Sequence, residues 1–131
     1  MRKRDNCGIH IIADLYGCNI EKLMKINDIK RIMEDAVKEA GLTKIKSHFH
    51  QFKPWGITGF ILLSESHLSI HTWPEYGYVS LDIYGCGPEK SSFYAYNKIL
   101  HFFKPRKVFK NVFVRGDINE ASRAANIETI S

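Results

Sequence analysis

Apolar and polar positions alternate near the start of the chain and then change to a helical period. Within residues 8–15, Ile9 and Ile11 would share one face of a strand while His10 points to the other face. Within residues 28–40, apolar residues recur every three or four positions, which is the spacing of a helix with one buried face. The pattern therefore predicts a strand followed by an amphipathic helix.

The remaining elements are indicated by apolar runs that end at glycine or proline. A second helix is predicted between Pro88 and about Phe103, where Pro105 ends it. Its expected inner stripe consists of Phe93, Tyr96, Leu100 and Phe103. The tail from Asp117 is weakly helical at best. The other predicted strands are residues 43–52, 57–64, 67–72, 78–84 and 107–115.

The order of these elements, β-α-β-β-β-β-α-β, has short connections between consecutive strands. It predicts an α+β fold, a two-layer sandwich whose antiparallel sheet carries helices on one face. A length of 131 residues with 44% hydrophobic and 25% charged residues fits a single domain spanning 1–131. Because one sheet face would lack a cover, we also expect a homodimer.

Charge and cysteine content narrow the class of protein. The net charge of +5 is scattered, and the densest basic groups, residues 2–4 and 104–107, lack the interleaved aromatic residues of a single-strand binding groove. We therefore expect no nucleic-acid partner. No apolar segment has the length of a membrane span. The basic residues at the start are not followed by the apolar segment of a signal peptide. The chain has three cysteines and no CxxC pair, which indicates free thiols and not disulfide bonds, and therefore a cytoplasmic protein.

The segment of residues 61–87 concentrates groups that can attack a carbonyl or move protons. If the hairpin turns near Glu75, Ser66 faces about Tyr84 and Cys86 lies diagonally beyond it. His71 follows Ser66 by five positions, so in an ideal strand it points to the opposite face. A bend or chain break at Ser66 could reconcile the two.

The residues alone leave three interpretations of this hairpin open. The serines and histidines could be structural groups satisfied by hydrogen bonds. Two pairs of histidines at spacings that share a strand face could instead hold zinc. A serine or cysteine could also be activated by a nearby histidine, although no G-x-S-x-G elbow supports a hydrolase. The histidines of the zinc interpretation are His48, His50, His67 and His71.

Four motifs carry a resemblance to a known family: "SESHLSIHTWPEYG", "DIYGCG", "GIHIIADLYGC" and "FHQFKPWGITG". Together they resemble the small prokaryotic S-adenosylmethionine decarboxylase proenzymes, over roughly residues 8–116. The resemblance implies the S-adenosylmethionine decarboxylase-like form of the α+β fold and self-cleavage between Glu65 and Ser66. Residues 1–65 would become one subunit and residues 66–131 the other, with a pyruvoyl group made from Ser66 at its new N-terminus.

The resemblance also implies roles for individual residues. His71 would accept a proton during cleavage, with Thr58 assisting, and Cys86 would return a proton to the substrate carbon after decarboxylation. The substrate amine would form a Schiff base with the pyruvoyl group, which acts as an electron sink. Phe52, Trp73 and Glu75 would bind S-adenosylmethionine.

Two rival functions remain at this point. One is a pyruvoyl-dependent arginine decarboxylase on the same scaffold, and the other is a non-enzymatic metal-binding protein that uses the four histidines. The family resemblance further implies a product that donates aminopropyl groups for spermidine synthesis, and active sites near the interface of two protomers.

Overall fold

The computed structural model describes residues 6–125 and contains six strands and three α-helices in this part of the chain. The basic residues 2–4 lie outside the described residues. The predicted order of strands and helices is confirmed, with an additional short helix at the end. The elements are β1 (Asn6–Tyr16), α1 (Ile26–Glu39), β2 (Lys44–Gln51), β3 (Ile57–Leu63), β4 (Ser66–Trp73), β5 (Tyr78–Gly85), α2 (Glu89–Phe103), β6 (Lys107–Asp117) and α3 (Ile118–Ala125).

All six strands form one antiparallel sheet in the order β2-β3-β4-β5-β1-β6. Helix α1 packs on β2 and β3, and α2 packs on β1 and β5, so both lie on the same face. The core between the layers is apolar, and Ile11, Ile61 and Leu68 are fully buried there. The predicted α+β two-layer sandwich is therefore confirmed.

Helix α1 forms where the apolar residues recur with helical spacing, but it begins at Ile26 and not at residue 28. Lys25 occupies the N-cap position without a side-chain hydrogen bond. The helix ends before Gly41, whose φ of +75° is a left-handed conformation that suits glycine. Its buried residues are Ile29, Ile32, Met33, Ala36 and Val37, as the spacing predicts.

Helix α2 buries a stripe that differs from the predicted one. Tyr96 and Phe103 are buried as expected, whereas Phe93 and Leu100 are only partly buried at the edge of the core. Ala95 and Ile99 take the central positions. A pattern judged by large apolar residues overlooks a small buried residue such as Ala95.

The sheet face away from the helices is called the open face here. It carries alternate side chains of each strand, including His10, His67 and His71. Several of its apolar side chains remain substantially exposed in the single chain, which is unusual for a sheet interior. They are Ile12, Phe60, Leu62, Phe109 and Phe113.

The β4–β5 connection sets the register of the central hairpin. Pro74–Tyr76 form a single 3₁₀ turn, and Gly77 follows with a left-handed φ of +60°. Ser66 is thereby paired with Gly85, one residue beyond the predicted Tyr84. Between residues 6 and 125, none of the helices combines the length and apolar character needed to cross a membrane.

Candidate active site

Ser64 and Glu65 form a two-residue turn that joins β3 to β4. Because this turn and Ser66 contain the expected cleavage site, we call the segment the scissile turn. Leu63 pairs with Ser66 across the turn. Ser66 has a φ of +138°, a conformation that residues with a Cβ rarely adopt and that costs about 1–3 kcal/mol. The peptide bond between Glu65 and Ser66 therefore lies in strained backbone at an exposed end of the sheet.

The carbonyl group of Glu65 is held in place by a hydrogen bond from the residue that follows β5. The backbone N–H of Cys86 donates a hydrogen bond of 2.7 Å to the Glu65 carbonyl oxygen. The Glu65 side chain is also fixed, because its Oε1 accepts a 3.0 Å hydrogen bond from the backbone N–H of Thr43. Both contacts keep this carbonyl in place, and the first would stabilise negative charge on its oxygen.

Two glycines on either side of Cys86 make this close approach possible. A Cβ on Gly85 would lie 2.3 Å from Oγ of Ser92 on α2, and a Cβ on Gly87 would lie 3.1 Å from Cγ of Glu65. Larger residues would separate the end of β5 from the helix or from the scissile turn. The Gly-Cys-Gly sequence is thus explained by packing around the turn.

His71 lies further along β4 on the open face, directly opposite Thr58 of β3. The hydroxyl of Thr58 and Nδ1 of His71 are 2.9 Å apart. When this hydroxyl accepts the hydrogen bond from a protonated Nδ1, Nε2 keeps its lone pair and can act as a base. Thr58 can therefore select the tautomer of His71 that a proton acceptor needs.

An aromatic cleft of about 330 Å³ opens beside His71. Its aromatic side chains are partly exposed, and the ring of Phe52 is supported edge-on by His50 at 4.6 Å between centroids. A larger cavity of about 670 Å³ at the end of α2 shares no residue with this cleft. The cleft is lined by Phe52, Trp55, Gly56, Ile57, Thr58, His71, Thr72, Trp73 and Glu75.

The scissile turn and the aromatic cleft lie at opposite ends of β4. Pairing with both neighbouring strands is regular from Ser66 to Thr72. At about 3.3 Å per residue, His71 is therefore about 16 Å from Ser66 along the strand. The backbone is irregular at Ser66, where φ is positive, but this does not bring Ser66 and His71 together, because β4 is regularly paired on both sides between them. Within one chain, these two residues do not meet.

The four histidines of the zinc interpretation do not assemble. His48 and His50 lie on β2, whereas His67 and His71 lie on β4, and β3 separates the two strands. Nonadjacent strands are about 9–10 Å apart, and the side chains of β3 lie between the two pairs. No group of three or more potential metal ligands occurs within residues 6–125.

His67 instead belongs to a polar cluster near the scissile turn. Nε2 of His10 is 3.0 Å from Oδ1 of Asp82, and Nδ1 of His10 is 3.2 Å from Nη1 of Arg115. Burial, and then the neighbouring His10, lower the pKa of His67, while Asp82 opposes this shift. His67 is consequently neutral near pH 7 and adds no charge beside the turn.

The three cysteines form no disulfide, as predicted. Cys18 is buried, and this burial raises the pKa of its thiol to about 11, so that the thiol stays protonated. Cys7 and Cys86 are exposed. Only Cys86 lies at the scissile turn.

Comparison with known proteins places this geometry in a family. The family model for S-adenosylmethionine decarboxylase matches residues 9–116. The chain belongs to the S-adenosylmethionine decarboxylase family. It is 49% identical over 123 residues to the S-adenosylmethionine decarboxylase proenzyme of Persephonella marina, which covers 94% of this chain and 92% of the relative. The corresponding Aquifex aeolicus proenzyme is 45% identical over 123 residues, covering 94% and 91%.

Solved structures agree with this assignment to the S-adenosylmethionine decarboxylase family. The crystal structure of the adenosylmethionine decarboxylase from Aquifex aeolicus matches with a TM-score of 0.83 and 45% identity, over 86% of this chain and 93% of that chain. The Trypanosoma brucei AdoMetDC monomer matches with a TM-score of 0.58 and 14% identity, over 94% and 53%. At that identity, the second match shows the fold alone.

Sequence reasoning missed one aromatic member of the cleft. The sequence pattern predicts no role for Trp55, which lies between two predicted strands, but the residue lines the cleft and is 40% exposed. A tryptophan in a short polar turn has little core to pack against, so its position was a usable signal of a binding surface. The predicted Phe52, Trp73 and Glu75 all line the same cleft.

Proposed function

We propose that this chain cleaves itself between Glu65 and Ser66 and then decarboxylates S-adenosylmethionine with a pyruvoyl group made from Ser66. The observation that carries the proposal is the scissile turn, where a strained serine follows a carbonyl group already held by the Cys86 N–H. Family membership confirms the predicted reaction, S-adenosylmethionine decarboxylation for polyamine synthesis. The arginine and metal-binding alternatives receive no support.

Cleavage begins when Oγ of Ser66 attacks the carbonyl carbon of Glu65. The hydrogen bond from Cys86 lies where negative charge develops on the carbonyl oxygen, and breakage of the C–N bond relieves the strained φ of Ser66. The product is an ester between Glu65 and Ser66. The geometry thus favours the shift of the acyl group from nitrogen to oxygen.

The ester is resolved when a base removes the α-proton of Ser66. The C–O bond then breaks, Glu65 leaves as a carboxylate, and the remaining dehydroalanine takes up water and loses ammonia. His71 suits the role of base because Thr58 can hold its Nδ1 and leave Nε2 unprotonated. The result is a ketone at the start of residues 66–131 and a separate chain of residues 1–65.

Because Ser66 and His71 of one chain lie far apart, we infer that each active site is shared by two protomers. Pairing the open faces about a two-fold axis would place the scissile turn of one protomer over the aromatic cleft of the other. The exposed Phe60 and Leu62 on this face would also be covered. The predicted homodimer therefore becomes a requirement of the chemistry.

The pyruvoyl ketone supplies an electron sink for decarboxylation of a substrate amine. The residues around Ser66 fit such a group, because Cys86 is adjacent and its backbone N–H already contacts the carbonyl group that precedes Ser66. The thiol of Cys86 would give a proton to the substrate carbon. In the cleft, Phe52 and Trp73 would stack on the adenine and attract the sulfonium, and the carboxylate of Glu75 would bind the ribose or the cation.

The direct test uses the freshly purified chain and its two candidate substrates. We expect the intact mass of the denatured protein to show two fragments, residues 1–65 and 66–131, of which the second reacts with a carbonyl reagent. Carbon dioxide should be released from S-adenosylmethionine and not from arginine. An uncut chain with full activity, or release from arginine alone, would contradict the proposal. The cytoplasmic location and the absence of a nucleic-acid partner stay predictions.

Replacement of Cys86 by serine should separate cleavage from decarboxylation. The backbone N–H that contacts Glu65 is retained, so cleavage should proceed at least in part. Decarboxylation should fall by about 10²-fold, because the hydroxyl is a much weaker acid than the thiol. The measurements are gel analysis and release of carbon dioxide. Replacement of the exposed Cys7 by serine is the control, and full turnover by the Cys86→Ser enzyme would remove Cys86 from the mechanism.

A further inference from the structure

Three aromatic rings form a continuous stack behind the wall of the aromatic cleft. The ring of Tyr78 lies between those of Trp73 and Tyr16, with centroids 5.1 Å from each and interplanar angles of 27° and 18°. Trp73 and Tyr78 are directly paired residues of β4 and β5, so their rings meet across the strands. Phe109 closes the far end of the stack edge-on against Tyr16, at 5.9 Å.

Tyr78 is fixed at its hydroxyl as well as on both ring faces. Its Oη donates a hydrogen bond of 2.5 Å to Oδ1 of Asp14 on β1. Burial and Asp14 raise the pKa of Tyr78 well above its ordinary value. The hydroxyl of Tyr78 therefore stays protonated near pH 7 and donates to Asp14, which holds the ring at its outer end.

Because Tyr78 covers one face of the Trp73 ring, only the other face is accessible from the aromatic cleft. The residue remains 38% exposed and lines the cleft beside His71. An exposed tryptophan without such support would populate several rotamers. Ordering a side chain on binding weakens affinity, and an ordered side chain avoids that cost.

We propose that Tyr78, anchored by Asp14, is a positioning residue that holds the indole of Trp73 in the orientation that stacks on the substrate's adenine ring. The inference rests on the proposed function, since it deepens the binding role of the cleft. It assigns no contact between Tyr78 and the substrate. Tyr78 acts only through Trp73, so its loss should affect binding more than the chemical step.

The kinetic test compares Tyr78→Leu and Tyr78→Phe in the processed enzyme. We expect Tyr78→Leu to raise KM for S-adenosylmethionine about three- to tenfold with kcat changed less than about twofold, because one side chain must be ordered on binding. Tyr78→Phe keeps the stacked ring and should largely restore KM. Tyr94→Leu on α2, which removes an exposed tyrosine elsewhere, is the matched control.

A spectroscopic test does not depend on activity. In a Trp55→Phe background, Trp73 is the single tryptophan of the chain. Tyr78→Leu should then make its fluorescence more accessible to acrylamide and lower its anisotropy, whereas Tyr78→Phe should not. Asp14→Asn keeps an oxygen acceptor and should behave like the parent, while Asp14→Ala removes the anchor but keeps the stacked ring and should, like Tyr78→Phe, change Trp73 far less than Tyr78→Leu.

The outcomes separate this inference from the proposed function. If the wild-type enzyme releases no carbon dioxide from S-adenosylmethionine, the proposed function fails, but the fluorescence of the uncut or cut chain still tests the positioning. An unchanged KM in an active Tyr78→Leu enzyme overturns the inference. So does unchanged accessibility of Trp73 in the single-tryptophan chain.

Discussion

Replacement of Ser66 by alanine should leave a single full-length chain of 131 residues with no decarboxylase activity. In the proposed cleavage the Ser66 side-chain oxygen attacks the Glu65 carbonyl, and the Cys86 N–H, which stabilises the carbonyl oxygen, cannot take over that role. Without the acyl shift, no ester and no ketone form. Intact mass after prolonged incubation and release of carbon dioxide from S-adenosylmethionine measure both losses.

The control for this variant lies in the same turn. Ser64→Ala removes an exposed hydroxyl two residues away while its backbone hydrogen bond to Thr43 is retained. This chain should be cut and active like the wild type. A Ser66→Ala chain that still splits into the two fragments would show that another bond or another nucleophile is used.

Much of the fold could be predicted because the helices and strands are strongly patterned. Ile9 and Ile11 of β1 alternate with polar residues, and the alternation correctly assigned them to the buried face. The stripe of α2 was less predictable, since Ala95 contributes little apolar surface yet is fully buried. The register of β4 and β5 depends on the 3₁₀ turn before Gly77, which the sequence signals only as a turn.

For the candidate site, the sequence indicates which residues take part, whereas the distances between them come from the structure. The motif around Ser66 identified the groups that can react, and the structure places Cys86 beside the scissile turn. The distance from Ser66 to His71 follows from the rise per residue once β4 is known to be regular through both residues. A sequence cannot exclude a bulge between them, so this separation, on which the proposal of a shared site rests, required the structure.

Mixed dimers of Ser66→Ala and His71→Ala chains should regain activity that neither variant has alone. In a shared site, the His71→Ala chain contributes Ser66 and Cys86, and the Ser66→Ala chain contributes His71 with its aromatic cleft. One of the two sites in the mixed dimer is then complete, so its activity should reach about half of the wild-type value per dimer. Only the His71→Ala chain should be cut.

The two chains can be co-expressed with different affinity tags and purified on both, after which gel analysis and release of carbon dioxide report the result. Each variant purified alone is the control, and hydroxylamine should cleave a His71→Ala chain stalled as the ester. If Ser66 and His71 acted within one chain, each chain of the mixed dimer would lack one of them and neither would be cut. A mixed dimer that stays uncut and inactive would therefore refute the shared site.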